Sequence, residues 1–291
     1  MKQIAFISGK GGTGKSTLVA SLVQMTKNKR FADCDVDAPN LHLLVADEQQ
    51  NPQPYYGSKK ALIDQDKCIH CDLCRQTCRF DAISLDHIVE TLSCEGCAAC
   101  TVVCPSEAID LIDTVIGTTD LQQTEYGKFA TASLYTGADG SGKLVTEVRK
   151  RLSDKNAPEQ WTLIDGSPGI GCVVIASITG TDAVVAVCEP TKSGRHDLRR
   201  VLDVAKHFKI PASVCINKYD LDEMITQSIE QLCKAEDVPV LAKIPFEPAI
   251  MKALQNSMTP VQAGVASYTA AAESLWNKLQ KEIMKNESTK Q

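Results

Sequence analysis

The 291-residue sequence has no apolar run that approaches the roughly 20 residues needed to span a bilayer. Its first apolar segment stops at Gly9, so we do not expect a secretory signal peptide. Basic residues are not in excess either, since 31 Lys and Arg against 36 Asp and Glu give a formal net charge of −5. This balance argues against a dedicated nucleic-acid surface. We therefore expect a cytoplasmic protein that does not bind nucleic acid and for which membrane binding is disfavoured.

Cysteine, in contrast, is abundant, with 13 residues. Without an export signal, a disulfide framework is disfavoured and a reducing compartment is expected. Eight cysteines form two runs with the spacing C-x2-C-x2-C-x3-C, which is typical of ferredoxins with two [4Fe–4S] clusters. In that arrangement the fourth cysteine of each run ligates the other cluster. The sequence therefore predicts one cluster held by Cys68, Cys71, Cys74 and Cys104, and a second held by Cys94, Cys97, Cys100 and Cys78.

Zinc is the main alternative, because it also binds paired thiolates, but zinc ribbons place their two C-x-x-C pairs well apart. The repeat extends beyond the cysteines, since residues 79–83 (Arg-Phe-Asp-Ala-Ile) match residues 105–109 (Pro-Ser-Glu-Ala-Ile). The first run is followed by Arg79 where the second is followed by Pro105. Arg79 either points to solvent or raises the potential of a nearby cluster through its charge.

A phosphate-binding loop opens the chain. The strand-like run Ile4–Ser8 precedes G-K-G-G-T-G-K-S-T, and a helix-like segment from Leu18 follows. In this context the loop amides and the helix N-terminus favour phosphate. We expect Lys15 to contact the β- and γ-phosphates and the Ser16 hydroxyl to coordinate Mg²⁺. The predicted nucleotide-binding residues of the loop are Gly9, Gly11, Gly12, Thr13, Gly14, Lys15, Ser16 and Thr17.

The second lysine of this loop, Lys10, gives it a resemblance to the deviant Walker A motif of the MinD/ParA family of P-loop ATPases, which includes the nitrogenase iron protein. The resemblance implies that ATP binding favours a face-to-face homodimer. It also implies that Lys10 reaches across the interface to the nucleotide on the partner subunit. The alternative is an ordinary loop lysine exposed to solvent. With Lys15 and Asp35, Lys10 forms the set of predicted catalytic residues.

Two further segments match this family in order along the chain. Phe31–Leu41, in which carboxylates recur at alternate positions, resembles switch I, and the resemblance implies that Asp35 positions the attacking water. A solvated acidic loop is the alternative for this segment. Trp161–Gly169 has the pattern of a buried strand followed by a flexible turn and resembles Walker B with switch II. Asp165 is then expected to hold Mg²⁺ through water, and Gly169 to respond to the γ-phosphate.

The nucleobase is less certain than the phosphates. Asn217-Lys218-Tyr219-Asp220 has the N-K-x-D form that reads guanine in GTPases, where the aspartate accepts from the base. In the MinD/ParA family the equivalent asparagine contacts adenine. We predict Asn217 and Asp220 as nucleotide-binding residues and favour ATP on the resemblance alone, with GTP left open.

Cys172 lies seven residues after Asp165, where the nitrogenase iron protein carries a cysteine of its bridging cluster. Three interpretations of Cys172 are open: it faces a dimer axis, it starts a helix that lowers the pKa of its thiol, or it is inert and packed in the interior. We favour the packed interpretation. Four other cysteines lie in apolar or helical contexts and are expected in the core: Cys34, Cys188, Cys215 and Cys233.

After residue 160, strand patterns alternate with helix patterns, which indicates βαβ units. Strands are predicted over 183–188, 212–216 and 240–244, and helices near 195–207, 221–235 and 266–285. The last helix has an apolar face of Leu275, Trp276, Leu279 and Ile283, which we expect to be docked on the core. We interpret Asn51–Lys60 as a linker and Val115–Tyr135 as a hairpin.

The predicted fold class is therefore α/β: a doubly wound, mainly parallel sheet of the deviant Walker A P-loop type, with a small inserted α+β domain like a bacterial ferredoxin. The predicted domain boundaries are 1–60 and 114–291 for the ATPase and 61–113 for the insertion. We expect a Mg²⁺-dependent ATPase that couples a dimer switch to electron transfer with an unknown redox or client protein. The alternative is an ATP-dependent factor that delivers metal or iron–sulfur clusters to a redox enzyme. A positioning ATPase is disfavoured by the charge.

Overall fold

The computed structural model describes residues 1–46, 51–138, 140–153 and 158–288. The chain divides into two compact units. The first contains Met1–Pro52, Asp120–Ala132 and Ser141–Gln291, and the second contains Gln53–Thr119 and Ser133–Gly140. The strands are β1 (Lys2–Ser8), β2 (Lys29–Asp33), β3 (Gln53–Ile63), β4 (Ile109–Thr124), β5 (Gly127–Leu134), β6 (Trp161–Pro168), β7 (Ala183–Cys188), β8 (Ala212–Asn217) and β9 (Val240–Ile244).

Seven of these strands build the sheet of the first unit in the order β5-β2-β6-β1-β7-β8-β9. All six neighbouring pairs are parallel. β1 lies in the centre, and its residues Ile4–Ile7 are completely buried. Such a continuous apolar run is expected where helices cover both faces of a parallel sheet. The prediction of an α/β fold with a large, mainly parallel sheet is confirmed.

The helices complete the alternation of strand and helix. They are α1 (Lys15–Met25), α2 (His42–Val45), α3 (Leu73–Thr77), α4 (Ala99–Val103), α5 (Ser141–Arg151), α6 (Cys172–Ile178), α7 (Lys192–His207), α8 (Glu223–Ala235), α9 (Pro248–Gln255) and α10 (Ala266–Ser288). Among them α3 and α4 belong to the second unit.

The apolar face of α10 is docked as the sequence predicts. Leu275, Leu279 and Ile283 are buried in the core of the first unit, and Trp276 meets Trp161 edge to face with 5.2 Å between ring centroids. Edge-to-face packing of this kind adds to the area that the two rings bury. No helix in the described part of the chain has both the length and the apolar character that crossing a membrane requires.

Helix starts differ from the predicted ones because side chains cap them earlier or later. α7 begins at Lys192 rather than at 195, since the hydroxyl of Thr191 accepts the N–H of Gly194 at 2.9 Å. α8 begins at Glu223 rather than at 221, since the carboxylate of Asp222 accepts the N–H of Ile225 at 2.9 Å. Such caps satisfy N–H groups that have no partner inside the helix. α5, in contrast, has no counterpart among the predicted elements.

The prediction of a linker over Asn51–Lys60 is wrong, because most of this segment belongs to strand β3, which pairs antiparallel with β4. Pro54 and Gly57 suggested an irregular segment. β3 tolerates them because it ends the strand order and its register shifts on both sides of Tyr56. The predicted hairpin over Val115–Tyr135 corresponds to β4 and β5, although β4 starts earlier than predicted.

The second unit repeats its backbone at an offset of 26 residues, the distance from Cys68 to Cys94. Left-handed backbone recurs at three equivalent pairs of positions: His70 and Gly96, Asp72 and Ala98, and Asp81 and Glu107. The two short helices α3 and α4 follow at the same offset and pack against each other. Residues other than glycine adopt this backbone at a cost, so its repetition indicates that both cysteine runs need the same turn geometry.

Gly96 offers a test of this turn geometry. Its φ is +61°, and a Cβ there would collide with the backbone carbonyl of Lys59. We expect Gly96→Ala to lower the free energy of unfolding of the second unit by about 2–3 kcal/mol, since the variant adds both strain and a clash. Ala98→Gly is the matched control. The φ of Ala98 is +66°, so glycine relieves backbone strain there while it adds conformational freedom to the unfolded chain. Chemical denaturation measures both variants, and equal stabilities would contradict the argument.

Candidate functional site

The P-loop connects the central strand to the first helix. β1 ends at Ser8, and α1 begins at Lys15 directly after Gly14, whose φ of 86° is left-handed. A side chain at Gly14 would also collide with the amide of Asn217. Glycine is therefore required there, and the amides at the start of α1 are left open toward a phosphate.

A cavity of about 320 Å³ lies over this loop, within the size range of small-molecule sites. Nine of the predicted site residues line it: Gly11, Gly12, Thr13, Gly14, Lys15, Ser16, Thr17, Asp35 and Asn217. An apolar wall is formed by Phe246, Ile250, Met251, Leu254 and Tyr268. The predicted residues Gly9, Lys10, Asp165 and Asp220 do not line this cavity.

Lys15 and Asp165 form a buried ion pair with 2.5 Å between Nζ and Oδ1. Asp165 Oδ2 and the Thr13 hydroxyl are also buried, and neither has a hydrogen-bond partner within the described residues. A buried carboxylate oxygen without a partner is costly, and a cation or its bound water would satisfy it. The donor set of Asp165 and the neighbouring Ser16 hydroxyl fits Mg²⁺, which prefers oxygen ligands.

Asp33, which the sequence analysis did not select, organises the loop that carries Asp35. It ends β2 beside Asp165 on the adjacent strand, and it is completely buried. Its carboxylate accepts the backbone N–H groups of Asp35, Asn40 and Leu41 at 2.9–3.0 Å. Burial, with the charge of Asp165, raises the pKa of Asp33. Burial likewise raises the pKa of Asp35. The sequence feature that could have identified Asp33 is its position as a carboxylate at the end of a buried strand.

Lys10 is bound within its own chain. Its Nζ lies 2.6 Å from Oε1 of Glu189, the residue after β7. The other oxygen of Glu189 lies 3.3 Å from Nζ of Lys218. Burial raises the pKa of Glu189, but hydrogen bonds from the two lysines outweigh this effect and leave the pKa below its ordinary value. Glu189 was not selected from the sequence, because neither lysine is near it along the chain.

The N-K-x-D residues make internal contacts. Asn217 Nδ2 donates to the carbonyl of Thr13 at 2.8 Å, so it supports the P-loop. Asp220 is exposed, and its Oδ1 accepts the backbone N–H of Phe246 at 2.7 Å. The carboxylate of Asp220 therefore fixes the backbone at Phe246, where the apolar wall begins.

The cysteines outside the two runs divide into buried and exposed ones. Cys34, Cys188, Cys215 and Cys233 are buried, as predicted. Burial raises the pKa of Cys34, Cys188, Cys215 and Cys233. The favoured interpretation of Cys172 as a packed residue is wrong, because Cys172 is exposed at the first position of α6.

In the second unit the eight cysteines of the two runs line two separate cavities. One contains Cys78, Cys94, Cys97 and Cys100, and the other contains Cys68, Cys71, Cys74 and Cys104. Each cavity thus brings together three cysteines of one run and the fourth of the other. Apolar residues of the second unit surround them, including Ala61, Ile63 and Ile109. Arg79 is exposed, in agreement with the solvent-facing alternative.

Two of these sulfurs accept a backbone N–H group. Ala108 N–H donates to Cys104 Sγ at 3.3 Å, and Ala61 N–H donates to Cys94 Sγ at 3.5 Å. Burial raises the pKa of the Cys104 thiol, but its hydrogen bonds with Ala108, Ser106 and Glu107 outweigh this effect and leave the pKa below the ordinary value. Burial raises the pKa of Cys74 and Cys100. Donors of this kind favour the thiolate, the form that binds iron.

A single bound metal ion requires a geometry different from that of a cluster. Among residues 1–46, 51–138, 140–153 and 158–288, no three His, Cys, Asp or Glu side chains are grouped so that they could hold one ion. Four thiolates on one zinc would need Zn–S distances of about 2.3 Å and hence nearly touching sulfurs. The cysteine quartets are therefore not arranged as mononuclear sites, and four thiolates around an apolar cavity fit the donor set of a cluster.

The fold and the P-loop define an α/β nucleotide-binding protein of the P-loop class, and comparison with known proteins agrees. The CobQ/CobB/MinD/ParA nucleotide binding domain family matches residues 4–261. An uncharacterised protein of Methanocaldococcus jannaschii is 31% identical over 229 residues, which cover 76% of this chain and 80% of that protein. The septum site-determining protein MinD of Pyrococcus horikoshii, solved with Mg-ADP, has a TM-score of 0.60 at 20% identity and covers 96% of each chain.

The chain therefore belongs to the CobQ/CobB/MinD/ParA nucleotide-binding domain family. A further similarity is local: the pyruvate synthase subunit PorD of Methanothermobacter marburgensis is 38% identical over 63 residues, which are 22% of this chain and 78% of that subunit. The family assignment accounts for the P-loop and the parallel sheet, and members of the MinD/ParA family are ATPases.

Proposed function

We propose that this chain is a Mg²⁺-dependent ATPase carrying two [4Fe–4S] clusters, and that nucleotide binding controls electron transfer through them. The observation that carries the proposal is the division of eight cysteines between two cavities, each lined by the quartet that ferredoxin spacing assigns to one cluster. The local similarity to a subunit of pyruvate synthase supports a role with a redox enzyme. The unknown partner would be a redox or client protein.

On the nucleotide side, each residue has a role that its contacts support. The loop amides from Gly11 to Thr17 would bind the phosphates, and Lys15 would exchange Asp165 for the β- and γ-phosphates. Ser16 and Asp165 would hold Mg²⁺, whose charge would offset that of the phosphates. Asp35, on the loop that Asp33 holds, would orient the attacking water. Catalysis of this type depends on positioning and charge.

ATP is the proposed nucleotide rather than GTP. Asp220, the residue that would accept from guanine, does not line the nucleotide cavity, and its Oδ1 accepts the N–H of Phe246. Asn217 supports the P-loop through Thr13 and lines the same cavity as the apolar wall. A base in this cavity would therefore meet apolar side chains and the Asn217 amide, without the carboxylate contact that favours guanine.

On the cluster side, Cys68, Cys71, Cys74 and Cys104 would hold one cluster, and Cys94, Cys97, Cys100 and Cys78 the other. Bound clusters supply one-electron storage and transfer. Four cysteine ligands per cluster favour retention over release, so electron transfer is preferred to cluster delivery. We propose a ferredoxin-like domain over 61–113, flanked by the ATPase parts 1–60 and 114–291.

Covalent connections offer a route for coupling. Within the first unit, β5 residues Phe129 and Ala130 pair with Phe31 and Ala32, directly before Asp33 at the switch I loop. β4 runs from the second unit into the first, where it precedes β5. Coupling requires that both ligands bias one two-state element, and the switch I loop is the proposed element. ATP binding would favour a homodimer in which Lys10 contacts the nucleotide bound to the partner subunit.

Reduction potentials of both clusters, measured anaerobically with and without a non-hydrolysable MgATP analogue, test the proposal. We expect a shift of about 59 mV or more in at least one cluster, which corresponds to tenfold for one electron. Lys15→Ala is the control, since loss of the phosphate lysine should abolish the shift. Unchanged potentials in the nucleotide-saturated protein would contradict control of the potential and favour the cluster-delivery alternative.

A further inference from the structure

Glu189 sits where two nucleotide-binding motifs meet. One carboxylate oxygen lies 2.6 Å from Nζ of Lys10, the second lysine of the P-loop. The other lies 3.3 Å from Nζ of Lys218, the lysine of the N-K-x-D segment. One side chain thus holds both lysines, and neither contact belongs to the roles described above. Glu189 is positioned for this by its place directly after β7, which lies beside β1 in the sheet.

Both lysines that contact Glu189 make a further hydrogen bond nearby. Nζ of Lys10 also donates to the Thr191 hydroxyl at 3.5 Å, and Nζ of Lys218 donates to the carbonyl of Gly12 at 3.5 Å. Thr191 in turn caps α7. Lys10 is therefore tied to the N-terminus of α7 in its own chain, while Lys218 is tied to the P-loop.

The Lys10–Glu189 ion pair is partly buried. The side chain of Glu189 is 16% exposed and that of Lys10 is 33% exposed. Ion pairs in contact with water contribute little, whereas a carboxylate largely removed from water depends on its partners. A lysine held in this way cannot at the same time give its charge to a phosphate on another subunit.

We propose that Glu189 is a latch that holds Lys10 against its own chain, and that ATP-driven dimerisation must break the Lys10–Glu189 ion pair. The inference rests on the proposed function, because it assigns a conformational cost to the same dimer switch. Lys218 limits that cost, since it remains to neutralise Glu189 when Lys10 leaves. Glu189 is a positioning residue here: it sets the nucleotide concentration at which the dimer forms and takes no part in hydrolysis.

The test measures dimer formation by analytical ultracentrifugation as a function of the concentration of a non-hydrolysable MgATP analogue. We expect Glu189→Gln, which keeps the shape but removes the charge, to lower the concentration for half-maximal dimerisation about three- to tenfold. Glu236→Gln is the matched control, because Glu236 is a half-buried acid paired with a single lysine, Lys206, at 3.1 Å. It should leave the midpoint unchanged. Glu189→Ala should act in the same direction as Glu189→Gln, and thermal unfolding checks that both variants fold.

A double variant separates the latch from a general effect of lost charge. Glu189→Gln should produce no dimer in a Lys10→Gln background, because the freed lysine is absent. An equal or higher midpoint for Glu189→Gln would overturn the latch, and so would dimerisation of the double variant. If the unchanged protein dimerises and Glu189→Gln matches it, only the latch fails. If neither dimerises, the proposed dimer switch fails and the latch with it.

Discussion

Replacement of Cys78 by Ala should remove the cluster of the second cysteine run, and Cys104→Ala should remove that of the first. The reason is that Cys78 lines the cavity of Cys94, Cys97 and Cys100, whereas Cys104 lines the other one. Loss of one of four thiolate ligands releases or degrades a cubane, so iron should fall from about eight per chain toward about four. Iron analysis and electron paramagnetic resonance of the reduced protein measure the effect.

The spectra decide between two ligand pairings. The signal left in Cys78→Ala should match that left in Cys97→Ala, and the signal left in Cys104→Ala should match that left in Cys71→Ala. If Cys78→Ala matched Cys71→Ala instead, each run would hold its own cluster and the exchange of fourth ligands would be wrong. Cys172→Ala is the control, because Cys172 is exposed and lines neither cavity, so iron should stay at about eight.

Asp35→Asn should reduce ATP hydrolysis by about 10²- to 10³-fold while nucleotide binding is retained. Asp35 lines the nucleotide cavity, and burial raises the pKa of its carboxyl, so the carboxylate is a stronger acceptor than an exposed one. Asparagine keeps the shape and the backbone N–H that donates to Asp33, but its amide has a single acceptor oxygen where the carboxylate has two, and it carries no negative charge. Phosphate release measures turnover, and calorimetry with the non-hydrolysable analogue measures binding.

Asp37→Asn is the matched control for this change. Asp37 is two residues further along the same loop and is exposed, so its replacement should alter turnover less than about twofold. Equal losses in the two variants would point to the net charge of the loop rather than to a positioned water. Loss of nucleotide binding in Asp35→Asn alone would instead assign Asp35 to ground-state binding.

The local motifs could be predicted because their partners are close along the chain. The P-loop turn depends on glycines beside the phosphate amides, and the strand that carries Asp165 is recognisable from its apolar run. The exposure of Cys172 could not be predicted, because the burial of a residue at a helix start depends on which distant segments pack over it. β3 was missed because an edge strand tolerates Pro54 and Gly57 at its register shifts.

By itself, then, the sequence determined the phosphate loop, the two cysteine runs and the alternating α/β pattern, since each depends on spacing over a few residues or on a short period. Only the tertiary structure decided which groups from distant segments meet. Parallel strands bring β1, β2, β6, β7 and β8 together, and at one edge of the sheet Asp33 meets Asp165 and Glu189 meets Lys10 and Lys218. Such contacts depend on strand order, which no local pattern encodes.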